Sequence, residues 1–387
     1  MKSTFIIAIT LFGVVCTLKG QTLRQRDFFT LDQAVTEHEK LSQAYTDSLE
    51  WKLKAAEIRK GILDGAGIAS LKSSTELNVI RHSFTRMDGY AVENVAIEAM
   101  PGIYLTGNLY SPLDTSVKYP GILCTHGHGT DSRWQAYTQQ RCATLARMGA
   151  VVFAYDMLGY GDMKQADHKI ENVLAAQLVF GTRALDFLAT LKEVDMHKIA
   201  ITGESGGGTQ TILLAAVDDR IAVSVPVVMV SGYFFGGCLC ESGMPIHVRP
   251  THSTTNVEIA ACMAPKPLLL VSDGGDWTKD NPTLAIPHIK RIYGFFDKEH
   301  FIENVHLPSE KHDYGPSKRQ AAYAFLSKHL GLKPTILTPE GWVKEYEEDV
   351  LPAEKLQVFN AAFPRPANAV MGNDDVVRAI KNYCSGE

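Results

Sequence analysis

The stretch Ala200 to Thr211, AITGESGGGTQT, sets a short apolar run ahead of four glycines and one serine. KIAIT before it reads as a buried strand, and TQTILLAAV (209–217) after it reads as a helix. Gly203-Glu204-Ser205-Gly206-Gly207 fits G-x-S-x-G, a pattern whose glycines permit a sharp strand-to-helix turn that exposes the serine hydroxyl at a sheet edge. The start of the following helix adds dipole support for a developing negative charge. Ser205 is therefore the candidate nucleophile.

A neutral hydroxyl is a poor nucleophile without a base and a group that orients the base. In this chain order the acid and then the histidine should follow the serine, each in a loop at the same sheet edge. LLLVSDGGDWTKDNP (268–282) ends an apolar strand with Asp273, Asp276 and Asp280, and VHLPSEKHDYGP (305–316) carries His306 and His312. Asp276 is preferred as the acid because it lies a few residues beyond the strand and ahead of a proline-marked helix start; Asp273 and Asp280 follow in that order. His312 is preferred as the base because His306 falls within the strand pattern. The N–H of Gly206 should be one oxyanion donor, and THGHGTD (125–131) suggests the N–H of His128 as the second. His126, His128 and Asp131 also resemble part of a metallo-β-lactamase metal site, but the remaining ligands are missing at suitable spacing, so a backbone role is expected and no metal.

Working outward, strands and helices alternate from Gly121 to Leu332, and the strands are continuous apolar runs. That predicts an α/β fold: a mostly parallel central sheet with helices on both faces. YAVENVAIEAM (90–100) and IYLTGNLYSP (103–112) alternate about Pro101-Gly102 and predict two antiparallel strands. Between Thr30 and Gly67, Leu49, Leu53, Ala56 and Leu63 recur at helical spacing, which predicts helices ahead of the main fold. The expected organisation is a signal peptide (1–20), an N-terminal helical segment (21–89), the α/β domain (90–332) and a C-terminal extension (333–387).

The elbow from Gly203 to Gly208, the HGHG loop, the YDMLGYGD segment (155–162) and the acid and histidine loops together resemble an α/β-hydrolase. ENVAIEAMPGIYLTGNLYSP leading into PGILCTHGHG is similar to the acetylxylan-esterase-like branch, related to the dienelactone hydrolases. The resemblance covers about residues 90–332. It implies a serine carboxylesterase with a Ser205-His312-Asp276 triad and no cofactor, deacetylating a polysaccharide. Two alternatives stand beside it: a uronic-acid methyl-ester hydrolase, and a non-catalytic carbohydrate-binding relative. Arg133, Trp134, Tyr160 and Trp277 fall in loops at the catalytic edge and are expected to bind substrate, the aromatics stacking on a sugar ring and the arginine meeting a uronate.

The 387 residues carry a net charge of −5 with Lys and Arg scattered, which gives no electrostatic footprint for nucleic acid or an anionic membrane. MKSTFIIAITLFGVVCTLKGQT has the layout of a secretory leader cleaved near Gly20/Gln21, so a secreted or periplasmic protein is expected. No later stretch is expected to span a membrane, and oligomeric state is left open. Of seven cysteines, Cys16 lies in the leader, Cys124 and Cys142 should pack as small hydrophobes, and the Cys238/Cys240 pair is too closely spaced for zinc-finger geometry and lacks a partner pair. The expected partner is an acylated carbohydrate substrate.

Overall fold

A computed structural model describes residues 23–25, 27–71, 75–334 and 336–386; the leader expected at 1–20 lies outside them. Its strands are β1 (Ile80–Arg86), β2 (Tyr90–Met100), β3 (Ile103–Pro112), β4 (Tyr119–Thr125), β5 (Val151–Tyr155), β6 (Val194–Glu204), β7 (Ile221–Val227), β8 (Val248–Arg249), β9 (His252–Ser253), β10 (Leu268–Asp273) and β11 (Ile302–Leu307). The helices are α1 (Leu31–Ser42), α2 (Ser48–Ala66), α3 (Ala136–Arg147), α4 (Val173–Thr190), α5 (Gly206–Val217), α6 (Leu239–Ser242), α7 (Asn256–Ala261), α8 (Ala285–Gly294), α9 (Pro316–Leu330), α10 (Ala353–Leu356) and α11 (Asn373–Ser385).

Nine strands form one sheet in the order β1-β2-β3-β5-β4-β6-β7-β10-β11. The pairs among β1, β2, β3 and β5 are antiparallel, and those from β5 through β4, β6, β7 and β10 to β11 are parallel. Parallel strands feeding helices need both faces covered. Leu123, Phe153, Ile199 and Ile201 face one core with α2 and α4, while Ile122, Val152, Ala200 and Val225 face another with α3 and α9. Helix α4 is long and apolar enough by composition to cross a membrane, which the sequence reading did not expect of any segment after the leader, yet 83% of it is buried in the interior.

Three regions refine the expectations. Strand β1, within the segment expected to be helical, pairs with β2 and joins the sheet. In α2 the residues inside are Trp51, Ala55, Ile58 and Ile62, whereas Leu49 and Leu53 are each 66% exposed. The buried stripe thus lies about half a turn from the expected one, because Lys and Glu alternate with apolar residues on both sides. The C-terminal extension folds back on the sheet, with Leu356 and Val358 buried and α11 packing against α4 and β2.

Candidate active site

Strand β6 delivers its last residues to the C-terminal edge of the sheet, and the chain reverses at once into α5. Ser205, at the turn, has φ 55° and ψ −122°, a conformation that costs a non-glycine residue about 1–3 kcal/mol and survives only where its surroundings enforce it. They do so through close backbone approach. A Cβ on Gly203 would lie 2.0 Å from Thr125 Oγ1, and one on Gly207 2.8 Å from the carbonyl oxygens of Thr125 and His126. The N–H of Ser205 donates to Val227 O at 3.1 Å, and the first turn of α5 opens with three glycines whose backbone faces that edge.

Asp276 lies three residues beyond β10. Its Oδ1 accepts the Thr278 N–H and hydroxyl, each at 2.6 Å, and its Oδ2 lies 2.6 Å from His312 Nδ1. The carboxylate side chain is 3% exposed and the imidazole 31%, so the carboxylate is sheltered while the imidazole keeps a face toward solvent. A carboxylate on Nδ1 fixes the tautomer, leaving the Nε2 lone pair free to take a proton. The structure thus brings Asp276 and His312 together, and it places Ser205 at the same edge, two strands away from β10 in the order β6-β7-β10-β11. Asp273 is engaged elsewhere: it accepts the Gly275 N–H at 2.9 Å and pairs with Lys318 at 3.3 Å. Asp280 accepts the Tyr233 hydroxyl at 3.1 Å. His306 is a sheet histidine bonded to Ser272 Oγ at 2.9 Å.

The HGHG loop follows β4. His126 is fully buried, its Nδ1 bonded to Gly127 O and its Nε2 accepting the Met157 N–H, and burial depresses its pKa to about 3. The His128 ring lies over Gly206, the residue after Ser205: a Cβ on Gly206 would be 2.4 Å from His128 Cε1. Its Nε2 lies 3.2 Å from His168 Nε2 and 3.2 Å from Cys240 Sγ. The Cys238/Cys240 pair, left without partners by the sequence reading, therefore has two histidines beside it.

Of the four expected substrate-binding residues, Arg133 requires correction. Its side chain is 1% exposed and serves the interior. It donates to Asn108 Oδ1 at 2.6 Å, to Asp156, to Asp162 Oδ2 at 2.8 Å and to Leu356 O at 3.0 Å. An arginine satisfied on every side by buried acceptors is withdrawn from substrate. Trp134 packs its ring against that guanidinium, 4.9 Å from centroid to Cζ. Tyr160 packs edge-on to His128 and His168. Trp277 sits between Phe234 and His312, with centroids at 4.2 and 4.6 Å. Phe28, from the N-terminal segment, stacks on the far side of Phe234 at 4.8 Å, so that segment reaches the rim of the site.

Two supporting residues escaped the sequence reading. Glu204, immediately before Ser205, is buried and accepts the Gly127 N–H and the Tyr137 hydroxyl, each at 2.9 Å, tying the HGHG loop to the elbow. Lys318, fully buried in the first turn of α9, donates to Lys311 O at 2.6 Å and Asp313 Oδ1 at 2.8 Å, clasping the loop on both sides of His312. The available signal was a charged residue inside an otherwise apolar elbow, and a lysine on the inner face of a helix.

No protein-family model and no curated protein matches the chain. Among solved structures, "Methylesterase BT1017" is similar at 38% identity and a TM-score of 0.84, over 92% of this chain and 80% of that one. A glucuronoyl esterase from Solibacter usitatus (16% identity, TM-score 0.53, 81% of this chain and 99% of that one) shares the fold. So does a CE15 glucuronoyl esterase from Teredinibacter turnerae (14%, 0.54, 73% and 85%). With a mostly parallel sheet, an elbow after β6 and a relative 38% identical over 92% of this chain, the chain belongs to the same family of esterases as that methylesterase, built on the α/β-hydrolase fold.

Proposed function

We propose that the protein is an exported serine esterase that cleaves the methyl ester of a uronic acid in a polysaccharide, using Ser205, His312 and Asp276. The observation that carries the serine chemistry is the 2.6 Å bond between Asp276 and His312 Nδ1, at the sheet edge where Ser205 is held in a strained turn. The choice of a methyl ester rests on the similarity to a methylesterase over 92% of the chain. Deacetylation, which the resemblance of residues 93–129 favours, is the second reading.

His312 Nε2 takes the Ser205 proton as Oγ attacks the ester carbonyl, and the N–H groups of Gly206 and His128 accommodate the oxyanion. Collapse of the tetrahedral intermediate expels methoxide, which leaves as methanol with the proton from His312. Water, deprotonated by the same imidazole, attacks the acyl-enzyme and releases the uronate and Ser205. Asp276 stays ionised throughout and stabilises the imidazolium.

The test is methanol release from methyl-esterified oligogalacturonides, run beside acetate release from acetylated xylo-oligosaccharides, with the mature protein and Ser205→Ala. Methanol release abolished by the substitution is the expected result. Acetate release alone would move the second reading ahead. Turnover of neither, with no labelling of Ser205 by a serine-reactive phosphonate, would favour a carbohydrate-binding relative without catalysis.

A further inference from the structure

Beside the elbow, three chain segments converge on a cluster that the ester chemistry above does not use. His128 comes from the loop after β4, His168 from the segment between β5 and α4, and Cys238 and Cys240 from the start of α6. One ring nitrogen of each histidine and both sulfurs lie within 4.8 Å of one another.

The protonation pattern indicates what the cluster can hold. His168 Nδ1 lies 2.7 Å from Leu158 O, an acceptor only, so Nδ1 carries the proton and the Nε2 lone pair points into the cluster. A carbonyl on the remote nitrogen is the usual outer partner of a metal-binding imidazole. That lone pair meets His128 Nε2 at 3.2 Å, and the same His128 nitrogen meets Cys240 Sγ at 3.2 Å. Bond lengths of about 2.0–2.1 Å to nitrogen and 2.3 Å to sulfur place tetrahedral zinc ligands roughly 3.3–3.8 Å apart, so the two 3.2 Å contacts lie just inside that range and the 4.8 Å limit on the whole cluster about 1 Å beyond it. The turn carrying the thiols is itself fixed: buried Glu241 accepts the N–H groups of Gly237 and Cys238, each at 2.7 Å.

We propose that His128, His168, Cys238 and Cys240 form a four-ligand zinc site. Two sulfurs and two imidazole nitrogens are a tetrahedral zinc set, and four protein ligands leave no open position for substrate. The ion is structural. It ties the HGHG loop to the start of α6 and to the segment before α4, and through the His128 ring it holds that loop against Gly206, the residue after the nucleophile. His128 is in this respect a positioning residue whose ring and backbone have separate tasks.

The test uses the mature protein, purified under reducing conditions, stripped with a chelator and titrated with Zn2+ and with Co2+. The expected result is one zinc per chain surviving desalting. The cobalt form should show intense visible bands of tetrahedral geometry and a sulfur-to-cobalt charge-transfer band. Cys238→Ser and His168→Ala should each weaken binding by more than about 100-fold, while Ser205→Ala binds zinc as the parent does. That last variant separates the site from catalysis: zinc binding stands or falls whether or not the ester proposal holds. The inference is overturned if the wild-type protein, with both thiols reduced, retains no metal after desalting, or if the cobalt spectrum is that of a weak six-coordinate complex. It is equally overturned if peptide mass spectrometry shows that Cys238 and Cys240 form a disulfide in the protein as secreted and that a chelator removes nothing.

Discussion

Two charged assemblies, both built from residues near the C-terminal ends of strands, differ in what they leave open. The Arg133 assembly is closed: the guanidinium meets Asp156, Asp162, Asn108 and a carbonyl from the C-terminal extension, and neither it nor Asp156 is more than 1% exposed. The Asp276–His312 pair is closed on one side only, with the carboxylate sheltered and the imidazole 31% exposed. A residue reaches a substrate only if its bonding capacity is not already spent within the fold, and the imidazole keeps one nitrogen unspent. Arginine, with five donors and high desolvation cost, is absorbed wherever buried carboxylates can surround it.

The sharpest way to break that contrast is to disturb the open pair. Asp276→Asn keeps the shape but removes the charge that fixes the His312 tautomer, and should lower kcat by about 10³–10⁴-fold with little change in melting temperature; Asp280→Asn, whose carboxylate serves Tyr233, should stay within about threefold. Steady-state kinetics on the pair of variants decides between the two aspartates, and equal losses would refute the assignment.

Disturbing the closed assembly should act on stability instead. Arg133→Ala leaves two carboxylates buried without their cation and should cost about 3–5 kcal/mol in denaturant unfolding. Because protonation removes the stranded charge, the loss should be larger at pH 8 than at pH 5; an undiminished stability with raised KM would instead return Arg133 to the substrate pocket.

The two faces of α2 offer a third contrast. Ile58→Ala, fully buried, should cost about 2–4 kcal/mol, whereas Leu53→Ala, 66% exposed, should stay within about 0.5 kcal/mol. A pH-dependent contrast concerns Glu258, buried beside Tyr45 and Thr254, whose pKa burial raises to about 7. A carboxyl with a raised folded-state pKa contributes stability that is fully present below its unfolded value near 4.5 and is lost as pH rises through about 7. Glu258→Gln should therefore flatten the pH profile of unfolding free energy over that window, by about 3 kcal/mol at its upper end.

These contrasts also mark where reading the sequence stops. Strands β2 and β3 were legible to the residue because alternation and the Pro101-Gly102 turn are local signals. The elbow and the acid and histidine loops were legible because topology fixes their chain order. Strand β1, IRHSFTR, was not, since its apolar content is too low to stand out and its pairing with β2 is a tertiary fact. Arg133 misled because a loop position says nothing about depth, and only the fold decides how many acceptors surround a side chain. His128, His168 and the Cys238/Cys240 pair carried no shared pattern, since their proximity arises from three segments separated along the chain.

The bonds from Arg133 to Leu356 O and from the Val358 N–H to Asp162 have a consequence for folding. The central charge cluster closes only once residues 356–358 have docked on it, so its completion waits on a segment about 200 positions further along the chain.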